Sequence, residues 1–371
     1  MFGVASGPPA LPPVPRTLTP TAALEEAVLP GLERPPCLVS FSGGRDSSTV
    51  LAAAISAARR RGLDPPVPIT YRFPDAPRTE ESEWQELVVG HLAVRDWEIR
   101  EIGDELDFVG PVSGAVLRRH GVLHPSNAFL HLPLLEATRG GSLLTGLGGD
   151  HILLPAREQA LIDLLAGRRK PELRDALRIG YALSPAGIRR LRERRRMRSE
   201  TLPWLRPGVQ RAVLDRIASA SAQEPLRWRR SVGWSAGTRE LVAGRWSFEV
   251  LANDADALVL HPLLAPRFLA AVARRGGQLG FGDRTRAMRE MFAGTLPDAL
   301  LARPTKARFD EAFWRTDSRE FARAWDGRGV DPALVDPAAL REEWLKPDPD
   351  ARSTLLLQSA WLSQVGAAES P

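Results

Sequence analysis

From residue 37 onward, short unbroken apolar runs alternate with longer stretches of helical periodicity. Cys37-Leu38-Val39-Ser40-Phe41 is one such run and predicts a strand covered on both faces. Thr49 to Arg61 is alanine-rich and predicts a helix, stopped at Gly62, a residue free to take the left-handed conformation that ends helices. Val67 to Phe73 predicts a second strand and Trp97 to Ile102 a third. Between them, Thr79 to Val94 predicts a helix whose first-turn acids meet the positive end of its dipole. A helical, loop-broken region runs to Arg139. Ser142-Leu143-Leu144-Thr145-Gly146 then predicts another buried strand, which passes into Gly148-Gly149-Asp150. Strands alternating with helices at this spacing predict an α/β fold, a doubly wound parallel sheet. From Pro155 onward strand signals fade, amphipathic helices dominate, and no fixed-period repeat appears.

The expected organisation is a proline-rich tail over 1–35, an α/β core over 36–155 and a mainly helical region over 156–371. Residues 1–36 hold nine prolines, so the first twenty read as extended and disordered, with a short helix fitting Thr21 to Leu29.

Composition narrows the class. Of 371 residues, 43% are hydrophobic and 26% charged, as in ordinary globular proteins. Cys37 is the single cysteine, which excludes a disulfide framework and a multi-cysteine zinc site. No apolar run approaches about eighteen residues. The N-terminus lacks the pattern of a signal peptide. A cytoplasmic protein without a membrane partner is expected. The net charge of +5 is unevenly spread. Arg157 to Glu200 holds thirteen basic residues against six acidic ones, densest from Arg189 to Arg198, so the remainder is slightly acidic. That cluster reads as a solvated helix face, or as a surface for an acidic peptide or a nucleic acid. Arg227-Trp228-Arg229-Arg230 interleaves an aromatic with cations, as a stacking surface does, in a run of only four residues.

The chemistry concentrates in Ser42-Gly43-Gly44-Arg45-Asp46-Ser47-Ser48, between a strand and a helix. Glycines let the backbone turn tightly against an anion. The N–H groups of the turn and of the following helix then face a phosphate, with serine hydroxyls as further donors. Asp46 repels a bare phosphate, so its presence calls for a cation between them. The segment is not a common P-loop, since the chain has no Gly-Lys pair. Nor does Gly146-Leu147-Gly148 continue into a dinucleotide fingerprint, because Gly149-Asp150-His151 follows.

The Ser42–Ser48 segment resembles the pyrophosphatase loop of the PP-loop ATP-pyrophosphatase superfamily, whose Rossmann-like members cleave ATP between the α and β phosphates. Thr145-Gly146-Leu147-Gly148-Gly149-Asp150-His151 resembles the Ser-Gly-Glu-Gly-Ser-Asp-Glu segment of the asparagine synthetases. Arg303-Pro304-Thr305-Lys306-Ala307-Arg308-Phe309 is similar to that family's Arg-x-Lys-x-x-Phe stretch with one extra residue, and His261 to Arg267 to a weakened Val-Pro-Phe-Leu-Asp segment. The likeness spans about residues 36 to 315. It implies ATP and Mg²⁺ as cofactors. By that resemblance Ser42, Gly43, Gly44, Asp46 and Ser47 hold the pyrophosphate, and Asp46 and Asp150 share the metal. Lys306 contacts the phosphates, and Ser40, Thr145 and Gly146 border the nucleotide. Asp46, Asp150 and Lys306 are the expected catalytic groups.

The departures shape the expected reaction. The family's glutaminase domain begins with a cysteine nucleophile just after the initiating methionine, where this chain has Phe2. Glutamine hydrolysis by that route is not expected, and nitrogen comes from ammonia, a substrate amine or a partner chain. The family's glutamate of the amide-forming step is replaced by Leu147 and its late aspartate by Ala265. These changes resemble the asparagine-synthetase-like cyclases of peptide natural-product pathways, lasso peptide cyclases among them. The resemblance thus implies a ligase that adenylates a carboxylate, releases pyrophosphate and transfers the acyl group to an amine, with a leader-binding or processing protein as a candidate partner. Two rivals are a tRNA-modifying PP-loop ligase holding RNA on its arginine cluster, and a non-catalytic partner subunit. His151 is weighed as a catalytic or structural residue, and His124 and His131 read as structural.

Overall fold

A computed structural model describes residues 10–153, 163–168, 170–303, 307 and 309–368. Five strands are all parallel: β1 Cys37–Ser40, β2 Val67–Arg72, β3 Glu98–Glu101, β4 Ser142–Leu144 and β5 Leu258–Leu260, in the order β3-β2-β1-β4-β5. This is the doubly wound α/β arrangement expected from the strand–helix alternation. Alternating strand residues serve opposite faces. Val39, Phe41 and Leu144 join one apolar core, and Leu38, Ile69 and Leu143 the other. β1 pairs with both β2 and β4, so the chain reverses its winding direction there. In open α/β sheets such a switch point opens a crevice at the carboxyl ends of the strands.

β5 lies in the stretch where strand signals had faded. Its three apolar residues are too few for a pattern, and pairing with β4 in register Ser142↔Leu258 to Leu144↔Leu260 defines it.

Helix α1, Pro20–Leu32, is longer than the Thr21–Leu29 helix expected within the tail. Thr19 caps it by accepting the Ala22 N–H at 3.1 Å, and Pro20 fits the first position, where no N–H is needed. Ala23, Leu24 and Val28 are fully buried, and Ser142 Oγ donates to the Gly31 carbonyl at 2.7 Å, tying α1 to β4. Helix α2, Arg45–Arg61, starts four residues before the expected Thr49 and ends at Gly62 as expected, in the left-handed conformation. Helix α3, Ser82–Leu92, follows a separate 3-10 turn over Pro77–Thr79. Cys37 is buried and burial pushes its thiol up to about 11, an inert side chain rather than a nucleophile. Among the described residues, no helix is long and apolar enough to cross a membrane.

Candidate active site

Chain geometry after β1 brings the first group of residues to the crevice. At Gly43 φ is +79°, a left-handed conformation, and an added Cβ would stand 2.8 Å from Gln85 Cγ, so glycine alone suits this turn. The Ser42 and Ser47 hydroxyls lie 3.1 Å apart. Ser47 Oγ accepts the Ser42 N–H at 3.2 Å, and Ser42 Oγ accepts the Gly44 N–H at 3.3 Å. No side chain caps α2 at Gly44, and the positive end of the helix meets the cleft.

The loop after β4 supplies the second group. Thr145 Oγ1 lies 2.7 Å from His261 Nδ1 and accepts the Leu147 N–H at 3.3 Å. Gly149 is required by close approach, since a Cβ there would stand 2.2 Å from Asp46 Cγ. Its absence lets the Asp46 carboxylate lie against the first turn of the short helix Gly149–Ile152, which carries Asp150.

Ser40, Ser42, Gly44, Asp46, Ser47, Thr145, Gly146 and Asp150 all line one cleft of about 290 Å³. Gly43 is not among the lining residues and presents its carbonyl to Arg303 Nη1 at 3.5 Å. Lys306 lies outside the described residues. His151 is placed differently: its Nε2 stands 3.6 Å from Glu240 Oε1, and it is not among the residues lining the cleft.

Several cleft residues escaped sequence reasoning. Arg284 opens the helix Arg284–Phe292; its Nη2 donates to Asp46 Oδ1 at 2.6 Å and its Nη1 pairs with Asp150. One guanidinium thus bridges both expected metal-binding carboxylates. Arg45 donates to Thr285 Oγ1 at 3.2 Å, and burial followed by the neighbouring Arg284 charge lowers its pKa. Glu81 and Arg303 form an ion pair whose side chains are 5% and 4% exposed. Arg303 lies over the Trp84 ring at 4.6 Å, and Glu81 also accepts the Ala307 N–H at 3.0 Å. A lone arginine in an arginine-rich chain gives no signal; Arg303 was visible only as the start of the Arg303–Phe309 segment.

An aromatic wall of His131, Phe248 and Phe309 completes the cleft. His131 packs edge-on to Phe248 at 4.4 Å between ring centres, and Phe248 meets His261 at 5.1 Å. Burial holds His131 down to about 4 and His261 down to about 3, so both rings are neutral near pH 7. Among the described residues, His131 Nδ1 and His261 Nε2 have no hydrogen-bond partner.

A parallel α/β sheet with a glycine-serine turn feeding a helix N-terminus at its switch point places the chain in the doubly wound class, with a cleft of the geometry that suits an anion. The asparagine synthase family profile matches residues 21–363, and the chain belongs to that family. It is therefore an ATP-using, amide-forming ligase in general class. No individual curated protein matches it significantly.

Proposed function

We propose that the chain adenylates a substrate carboxylate and passes the acyl group to an amine. A carboxylate oxygen attacks the α-phosphorus of ATP, the bond from that phosphorus to the β-phosphate bridging oxygen breaks, and pyrophosphate leaves. The amine nitrogen then attacks the acyl carbon, AMP departs and the amine loses a proton. The observation that carries this reading is the convergence of the Ser42–Ser47 turn and the two carboxylates, Asp46 and Asp150, at the sheet's switch point.

In this reading the turn and the α2 N-terminus receive the departing pyrophosphate, Arg284 and Lys306 offset its charge, and Ser40, Thr145 and Gly146 border the nucleotide. The donor set fits Mg²⁺. Asp46 and Asp150 face one another closely enough to share a single cation, Arg284, and both offer only oxygen. Among the described residues no group of three or more His, Cys, Asp or Glu side chains makes an all-protein cage. That suits an ion held by two carboxylates plus substrate phosphates. When bound between Asp46 and Asp150, Mg²⁺ supplies charge neutralisation at the phosphates.

The amine step lacks the family's acidic group, because Leu147 lines the cleft in its place. His131 lines the cleft wall as a neutral ring and helps shape the pocket that the amine enters. The aromatic wall keeps water from the hydrolysable adenylate. Carboxylate and amine carried on one peptide make the enzyme a cyclase; carried on two molecules they make it a ligase.

Exchange of labelled pyrophosphate into ATP, screened over amino acids and carboxylate-bearing peptides, tests the reading. Asp46→Ala, Asp150→Ala and Lys306→Ala are each expected to cut exchange by about 10²-fold or more while leaving the circular dichroism spectrum intact. His131→Asn is expected to retain exchange and to form amide product more slowly. Absence of both exchange and nucleotide binding with every acid tried overturns the proposal.

A further inference from the structure

Five of the six large apolar side chains more than half exposed among the described residues fall within one short stretch: Leu165, Leu177, Leu183, Ile188 and Leu191. The same stretch holds the positive excess of Arg157 to Glu200. Scattered exposed leucines need no explanation, but a concentration rimmed by charge marks an interaction surface.

The helix Ala186–Arg196 buries none of its residues and is docked by polar ties. Arg189 donates to the Ala222 carbonyl at 2.9 and 3.1 Å and to the Ser184 carbonyl at 2.7 Å. Arg192 lies over the Tyr181 ring at 3.8 Å, and Arg194 pairs with Asp215 at 2.5 Å. Arginines fasten Ala186–Arg196 to its neighbours, and its aliphatic side chains Ile188 and Leu191 turn outward. Between this helix and Pro207–Gln223 runs a groove lined by Leu191, Met197 and Leu214, with Arg194, Arg195 and Arg211 along it.

We infer that this groove docks an acidic polypeptide segment bearing leucine-like side chains. The aliphatic residues take the partner's apolar side chains, and Arg195 and Arg211 meet its carboxylates. A nucleic acid fits less well. Aliphatic residues separate the arginines, the Tyr181 face is covered by Arg192, and Trp228, a stacking residue by sequence, is 4% exposed with its indole N–H donating to the Val272 carbonyl. A membrane surface requires one continuous apolar face, whereas Leu191, Met197 and Leu214 lie in a groove whose other lining residues are charged.

Fluorescence anisotropy on the full chain tests this with a short labelled peptide of glutamate and leucine at helical spacing. Its controls are a lysine–leucine peptide of the same pattern, single-stranded RNA and phosphatidylserine vesicles. The glutamate–leucine peptide is expected to bind at micromolar concentration and to weaken as salt rises. Leu191→Asp and Arg195→Glu should each weaken it about tenfold or more while leaving pyrophosphate exchange unchanged, which also shows that both variants fold. No binding, equal binding of the lysine–leucine peptide, tighter binding of RNA or vesicles, or wild-type affinity in both variants overturns the inference.

Discussion

Arg284 stands between Asp46 and Asp150 and pairs with both. Two carboxylates this close repel when no cation separates them. Arg284→Met is therefore expected to lower stability by about 1–2 kcal/mol in chelator. It should also raise the melting temperature gained on adding MgCl₂ above that of the wild type; an equal gain in both proteins would show that the guanidinium and the ion do not share the site. The buried histidines predict a pH dependence. Unfolded histidines take protons near pH 6.5, whereas His131 and His261 in the fold wait until about 4 and about 3. Between those values the unfolded chain binds more protons than the native one. Their contribution to stability is therefore complete above about pH 6.5 and is lost as pH falls through that window, by on the order of 1 kcal/mol per pH unit for each ring. Urea melts near pH 7 and near pH 5 check this, the His131→Asn/His261→Gln variant losing less than the wild type. The loop residues were legible because Ser42 to Ser47 form one contiguous run whose chemistry is local. Arg284, Glu81 and His131 were not, because each acquires a role only through partners remote in sequence.

At the scale of elements, β1 and β4 were read nearly to their ends, since a strand buried on both faces writes itself as an unbroken apolar run. The limits appear where tertiary pairing defines an element. β5 is three residues, Leu258–Leu260, and becomes a strand by lying along β4. α2 begins at Arg45 because the motif residues Asp46 and Ser47 form its first turn, which their polar character disguised as loop. That overlap of loop and helix makes backbone spacing critical. Gly149→Ala puts a Cβ 2.2 Å from Asp46 Cγ, so the carboxylate must shift away from Arg284 and Asp150. A displacement of about 1 Å costs catalysis about 10²-fold, and pyrophosphate exchange should fall by about that factor. Exchange at the wild-type rate would show that the contact yields without moving the carboxylate.

Over the whole molecule, proline content concealed that α1 belongs to the core. Leu24 and Val28 are fully buried, and Glu25 accepts the Ser56 hydroxyl at 2.7 Å, so the chain before the loop is packed against α2. The Glu81–Arg303 pair makes the complementary link from the far end of the chain. It joins the start of α3, the Gly43 carbonyl and the Ala307 N–H, and so fastens Arg303 and Ala307 to the Ser42–Ser47 turn. Removing one member of a buried pair leaves an uncompensated charge, whereas removing both spares that penalty. Arg303→Met and Glu81→Gln are each expected to destabilise the protein by about 3–5 kcal/mol, and the double variant by clearly less than their sum. The same variants should lose pyrophosphate exchange under conditions where they remain folded, because the tie between the two ends of the cleft is gone. Additive urea-melt energies would show that the two side chains act independently; additive energies with exchange intact would remove the clamp from the account of the site altogether.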